Sequence, residues 1–137
     1  MEKLRVGVIG CGSIAIHRHL PEYKSNKNVE LAAVCDINEE RALATAEKYG
    51  AKAYTSYEEL ISSGLVDAVS VCTPNYLHAP ITIAALNAGL HVLCEKPMAT
   101  SREEAEEMIA AAKANGKKLM IAHNQRFVPS HQRARQL

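Results

Sequence analysis

A doubly wound α/β fold, with a parallel sheet covered by helices on both faces, is predicted for this 137-residue chain by three observations. Short apolar runs rich in Val, Ile, Leu and Ala alternate with helical segments along the whole length, and the runs are continuous, as in strands buried on both faces. Glycines close the helical segments, and small polar residues open them. Directly after the first run, two glycines stand one residue apart in VGVIGCGSIAIHRHL, residues 6–20.

The elements follow in order. The first strand covers residues 4–9 and leads through the glycines into a helical segment over 13–20. A second strand spans 29–35, after which Asn38 caps a helix over 39–49 that Gly50 ends. A short strand over 51–54 precedes Ser56, the cap of a helix over 57–62 that stops before Gly64. The fourth strand covers 66–72, and a helix over 78–88 closes at Gly89. The fifth strand covers 91–94. Thr100 or Ser101 then caps a helix over 102–115, whose early glutamates suit the positive end of the helix dipole and whose close is Gly116. The sixth strand lies in 118–122. Right-handed crossovers between these strands predict the order 3-2-1-4-5-6. Beyond them, Pro129 can open a helix that the end of the chain stops after about two turns.

Composition narrows the function. The length fits one domain, and a formal net charge of +1, with 23% charged residues, gives no long-range pull towards nucleic acid or an anionic membrane. No apolar run approaches a bilayer span, and MEKLRVGVIG has no signal-peptide pattern, so a cytoplasmic protein is expected. Cys11, Cys35, Cys72 and Cys94 form no C-x-x-C pair. They read as small packing residues near strand ends in a reducing compartment, and no metal site is expected.

Residues 10–15, GCGSIA, fit G-x-G-x-x-G/A, the fingerprint of a dinucleotide-binding Rossmann fold. Gly10 allows the tight turn, Gly12 lets backbone approach a pyrophosphate, and Ala15 lets the helix pack closely on the sheet. Ser13 and Ile14 open that helix, whose free N–H groups face the phosphates. A glycine-rich turn that serves packing alone is the competing reading. Asp36, 21 positions after Ala15, ends the second strand, where a carboxylate accepts hydrogen bonds from both hydroxyls of the adenosine ribose. It would repel a 2′-phosphate, and no arginine follows before Arg41, so NAD is expected in preference to NADP. Alternatively, Asp36 is a turn residue capping the next helix.

Two further stretches lie at carboxyl ends of strands: CTPNYLHAP (residues 72–80) and CEKPMAT (residues 94–100). With GCGSIA, VCD and the final AHNQRF, they resemble the Gfo/Idh/MocA family of nicotinamide-dependent oxidoreductases, in family order and spacing across essentially the whole chain. The resemblance implies that Thr73, Pro74 and Asn75 line the cofactor's pyrophosphate and ribose, with His78 near by. It implies that Glu95 and Lys96 sit at the nicotinamide ribose, with Lys96 as the catalytic group in the substrate pocket, and that Asn124 borders the nicotinamide or the substrate. An ammonium there can hydrogen-bond a reacting hydroxyl and stabilise the alkoxide character of its oxygen in the hydride-transfer step.

Competing readings stand beside these roles. Lys96 could be a solvated charge, His78 could cap the segment after it, Arg126 could be a structural donor, and His17 and His19 read as surface or helix-packing residues. On the resemblance, residues 1–124 form the dinucleotide-binding domain and 125–137 begin the connection to a C-terminal α+β substrate domain that these residues lack. The implied function is hydride transfer between NAD and a sugar, inositol or related polyol by a homo-oligomer assembled through that second domain. These residues alone are expected to bind cofactor without turnover. The alternative is a non-catalytic dinucleotide-binding regulatory module, against which the E-K-P lysine argues. A nucleotide-fold methyltransferase is disfavoured by Asp36 together with E-K-P.

Overall fold

In the computed structural model, which describes residues 2–137, the glycine-bearing strand β1 (Leu4–Ile9) lies inside the sheet. It pairs in parallel with β2 (Val29–Cys35) on one side and β4 (Ala68–Val71) on the other. Outward from β2 lies β3 (Lys52–Tyr54), and outward from β4 lie β5 (His91–Cys94) and β6 (Leu119–Ile121), all parallel. The order is 3-2-1-4-5-6, as the alternation of runs predicts. The strand ladders stop a residue or two inside the predicted runs at 51–54, 66–72 and 118–122, although Val66 and Cys72 stay buried beyond the ends of β4.

Successive strand residues face opposite sides of a sheet, so a sheet covered on both sides needs both sets apolar. Val8 and Val34 pack with Ala15, Leu20 and Ala46 on one face. Ile9 and Cys35 pack on the other with Leu60, Ile81, Leu86 and Met108. Ile81, Leu60, Leu86 and Met108 are fully buried, each contributing about 1.5–3 kcal/mol of burial free energy. This two-sided cover is why the runs do not alternate.

Helix ends follow the sequence signals closely. Asn38 Oδ1 accepts the Arg41 amide at 2.9 Å ahead of α1 (Glu39–Tyr49), and Ser56 Oγ accepts the Glu59 amide at 3.2 Å ahead of α2 (Tyr57–Ser62). The choice between Thr100 and Ser101 falls on Ser101, whose Oγ accepts the Glu104 amide at 3.1 Å ahead of α3 (Arg102–Asn115). Thr100 instead donates its amide and hydroxyl to Glu104 Oε2, at 2.9 and 2.8 Å. The glycines at 50, 64, 89 and 116 all take positive φ.

The first helix departs from expectation. It is predicted to stop at residue 20, yet it winds on through Ser25, with a π-helical turn at Ala15–His19 and an α-helical stretch at Leu20–Ser25. The Leu20 amide bonds Ala15 O, five residues back. Pro21 explains the wide turn, since it brings no N–H and its ring crowds the carbonyl one turn earlier. The helix from His78 to Asn87 is entered through a 3₁₀ turn at Asn75–Leu77, and the helix from Pro129 to Gln136 opens at its proline as predicted.

Candidate functional site

Because all six strands run parallel, their carboxyl ends meet along one rim of the sheet, and the polar motifs gather there. The glycine turn leaves β1, Asp36 leaves β2, Thr73 and Pro74 leave β4, Glu95 leaves β5 and Asn124 follows β6.

The two glycines of the turn are required by different things. Gly10 has φ +94°, and a Cβ on it would lie 2.6 Å from the Cys72 carbonyl oxygen, so the fold itself demands glycine. Gly12 has no such φ, and a Cβ there would meet nothing within 4 Å. Its side of the turn opens into a cleft of about 660 Å³, which Asp36, Ile37, Arg41, Thr73 and Pro74 also line. The first amide of the following helix with an acceptor inside it is Ile16, bonded to Gly12 O at 3.0 Å. The amides of residues 13–15 therefore point out of the helix start. At the same cleft, Thr73 Oγ1 is buried without a hydrogen-bond partner. Free amides, an orphaned hydroxyl and the space beside Gly12 together fit a pyrophosphate ligand.

Asp36 is 7% exposed and serves the loops around it. Its Oδ2 accepts the Cys11 amide at 3.0 Å, pinning the glycine turn, and its Oδ1 accepts the Asn38 amide at 2.9 Å. Arg41 Nη1 lies 3.4 Å from Oδ2. Arg41, the first arginine after Asp36 in the sequence, is thus brought beside the carboxylate: five residues span a turn and the start of a helix, which folds Arg41 back onto Asp36. An acceptor position remains on Oδ1 for a ligand hydroxyl.

A second, smaller depression of about 210 Å³ brings Ile14, Glu95 and Asn124 together with His19 and Tyr23. Ser13 is exposed, and its hydroxyl and carbonyl oxygens lie 3.2 and 2.8 Å from His17 Nδ1. Asn75 and Lys96 are exposed as well, and the Lys96 ammonium has no ion-pair partner among the described residues. His78 is 1% exposed, and its Nδ1 and Nε2 lie 2.6 and 2.9 Å from the carbonyl oxygens of Pro97 and Thr73. His78 thus ties the loop after β4 to the turn after β5 from beneath, with neither ring nitrogen free for a ligand.

Of the two readings of His19, surface or helix-packing, the structure takes the second, since His19 is 7% exposed; what sequence reasoning missed is its link to Glu95. Its Nε2 lies 2.8 Å from Glu95 Oε1 and its Nδ1 lies 3.2 Å from Ser70 Oγ. The available signal was spacing: Ala15, His19 and Tyr23 recur every four residues on one helix face, and Ala15 is a core position. The four cysteines pack as expected. Burial pushes the thiols of Cys11 and Cys94 up to about 11 and that of Cys35 up to about 12, and raises that of Cys72 further, so none is a reactive thiolate. Among the described residues, no helix is long and apolar enough to cross a membrane.

Residues 4–123 match the model of the Gfo/Idh/MocA oxidoreductase family, NAD-binding Rossmann fold. The chain is 41% identical over 134 residues to D-glucoside 3-dehydrogenase of Escherichia coli (strain K12), covering 97% of this chain and 38% of that protein. It is 40% identical over 128 residues to the NADP(+)-dependent scyllo-inositol 2-dehydrogenase of Bacillus subtilis (strain 168), covering 93% and 39%. Among solved structures, a 3-ketoreductase from Actinomadura kijaniata in complex with NADP superposes with a TM-score of 0.92 at 38% identity, covering 97% of this chain and 42% of that one. A dehydrogenase from Bordetella pertussis in complex with NADH and UDP-GlcNAcA gives a TM-score of 0.93 at 32% identity, covering 98% and 41%. The chain spans about two fifths of the length of these relatives.

Proposed function

This chain belongs to the Gfo/Idh/MocA family of oxidoreductases, and on that premise we propose that residues 1–124 are the cofactor-binding domain of an NAD-dependent dehydrogenase acting on a sugar, inositol or related polyol. The observation that carries the reading is Gly12, a glycine that the fold does not need, set where the helix amides and Thr73 Oγ1 face an open cleft. The bound dinucleotide would supply the carbon that exchanges hydride with the substrate carbinol. Gly12 and the amides of residues 13–15 hold the pyrophosphate, Thr73, Pro74 and Asn75 flank it, and Asp36 Oδ1 takes a ribose hydroxyl. Ile14, Glu95 and Asn124 border the nicotinamide half. Lys96 would hydrogen-bond the reacting oxygen: as hydride reaches the substrate's carbonyl carbon, its ammonium stabilises the alkoxide that forms and gives it a proton, and oxidation of the carbinol is the reverse, with the amine taking the hydroxyl proton as hydride leaves.

The preference for NAD over NADP rests on the Asp36 carboxylate, which repels a 2′-phosphate at the end of β2 while Arg41 is engaged with it. Residues 125–137 open the connection to a substrate domain, through which the protein forms a homo-oligomer. The four unpaired, buried thiols suit a cytoplasmic, reducing setting. Isothermal calorimetry of this chain with NADH and NADPH tests the reading. Tighter binding of NADH is expected. Equal or tighter NADPH binding overturns the NAD assignment, and binding of neither overturns the cofactor domain.

A further inference from the structure

We propose that His19 is a positioning residue for the E-K-P turn: it holds the Glu95 carboxylate in place and, through Glu95, the main chain of Lys96. This rests on the reading above that the turn flanks the nicotinamide half of the cofactor.

The geometry is a single hydrogen-bonded line. Glu95 has both oxygens engaged, Oε1 at 2.8 Å from His19 Nε2 and Oε2 accepting the Lys96 amide at 3.2 Å. On the other side of the ring, His19 Nδ1 lies 3.2 Å from Ser70 Oγ, which lies 2.5 Å from the Tyr23 hydroxyl. With the hydrogen on Nε2 the line is consistent throughout: Tyr23 O–H donates to Ser70, Ser70 O–H to Nδ1, and Nε2–H to the carboxylate. The ring is therefore fixed at both nitrogens by three elements: its own helix, β4 and the end of β5.

Two features of the fold serve this line. Ser70 is 0% exposed in the apolar strand AVSV, where a hydroxyl is costly unless bonded. Its partners are His19 and Tyr23 alone. The π-helical turn ahead of Pro21 ends on His19 itself, and the wider turn sets where that ring points. A carboxylate as enclosed as Glu95, with a side chain only 13% exposed, keeps one geometry only while its partners remain. Without His19, Glu95 would turn towards water and release the Lys96 amide.

The test uses the 137-residue chain with two ligands, NADH and ADP-ribose, which differ by the nicotinamide group, together with hydrogen exchange at the Lys96 amide read by NMR. In His19→Leu, ADP-ribose affinity is expected to hold, NADH affinity to fall about tenfold and Lys96 amide exchange to quicken by a similar factor. His19→Gln, whose amide can still donate to Glu95, should restore most of both. If His19→Leu does not fold by circular dichroism, Ser70→Ala, which frees Nδ1, should shift the same readouts in the same direction by less. Equal loss of both ligands, no change in either, or unaltered Lys96 exchange in a folded variant overturns the proposal. If the unmodified chain binds neither ligand, the cofactor reading fails while the exchange measurement still decides the role of His19.

Discussion

Gly10 and Gly12 make opposite predictions although they stand one residue apart. In Gly10→Ala the new Cβ presses on the Cys72 carbonyl in a backbone conformation that L-residues resist, so urea unfolding should show a loss of about 1–3 kcal/mol. Gly12→Val meets no protein atom within 4 Å at its Cβ, so the variant should unfold much as the unmodified chain does. Its side chain would fill the place of the pyrophosphate, and NADH fluorescence titration should show no binding. Retained affinity in a folded Gly12→Val would mean the turn serves packing alone. Asp36 combines both kinds of role. Asp36→Ser should narrow the difference between NADH and NADPH in calorimetry by removing the repelling charge. It should also weaken both ligands, because the Cys11 amide loses its acceptor and the glycine turn loosens.

At the level of elements, β1 and β4 are joined at their amino ends as well as along their ladder. Arg5 in β1 donates Nη2 and Nε to the Asp67 carboxylate at 2.6 and 3.0 Å, and its amide adds a third bond at 3.0 Å. These hydrogen bonds hold the Asp67 carboxyl below the usual carboxylate range. A carboxyl lowered on folding stabilises the folded state above its unfolded pKa, about 3.9, and that contribution disappears as pH falls through the folded value. Asp67→Asn should therefore be less stable than the unmodified chain at pH 7, with the gap narrowing below about pH 4 in urea unfolding at stepped pH. A gap that stays constant into strong acid would show that the pair does not carry it. The strands and caps were legible in the sequence because each rests on local chemistry: a buried apolar run, a Ser or Asn oxygen at a helix start, a glycine at its end. The extended first helix was not, because Pro21 reads locally as a stop and only packing of Leu20 and Tyr23 on the sheet makes continuation worthwhile. The site divided along the same line. Gly10, Gly12 and Asp36 announce themselves by spacing, whereas Arg41 beside Asp36, His78 beneath two loops and His19 behind Glu95 depend on contacts 5 to 76 residues apart in the chain.

For the molecule as a whole, the question is what these residues can do by themselves. The glycine turn, Asp36 and the loop after β4 surround one large cleft, and most of the dinucleotide's binding energy should arise there. The side proposed for the nicotinamide is different. Its depression is about 210 Å³, Lys96, next in the chain to its lining residue Glu95, is exposed, and Phe127 in its lining is 64% exposed, so the described residues provide one wall for a substrate. Hydride transfer needs the carbinol held against the ring in a fixed orientation, and a single wall does not supply that restraint. The 137-residue chain should accordingly bind NADH yet produce none from NAD and a polyol, even with Lys96 in place. Polyol-dependent NADH formation by these residues would refute the division of labour between this domain and a substrate domain. In a longer protein that carries both, Lys96→Ala should lower turnover about a hundredfold or more while leaving NADH affinity close to unchanged. The reason is positional: Lys96 does not line the cleft of Gly12 and Asp36, so its removal should cost the reacting oxygen its partner and cost the cofactor almost nothing. Full turnover in that variant would remove Lys96 from the chemistry, and a parallel loss of NADH affinity would move it to cofactor binding.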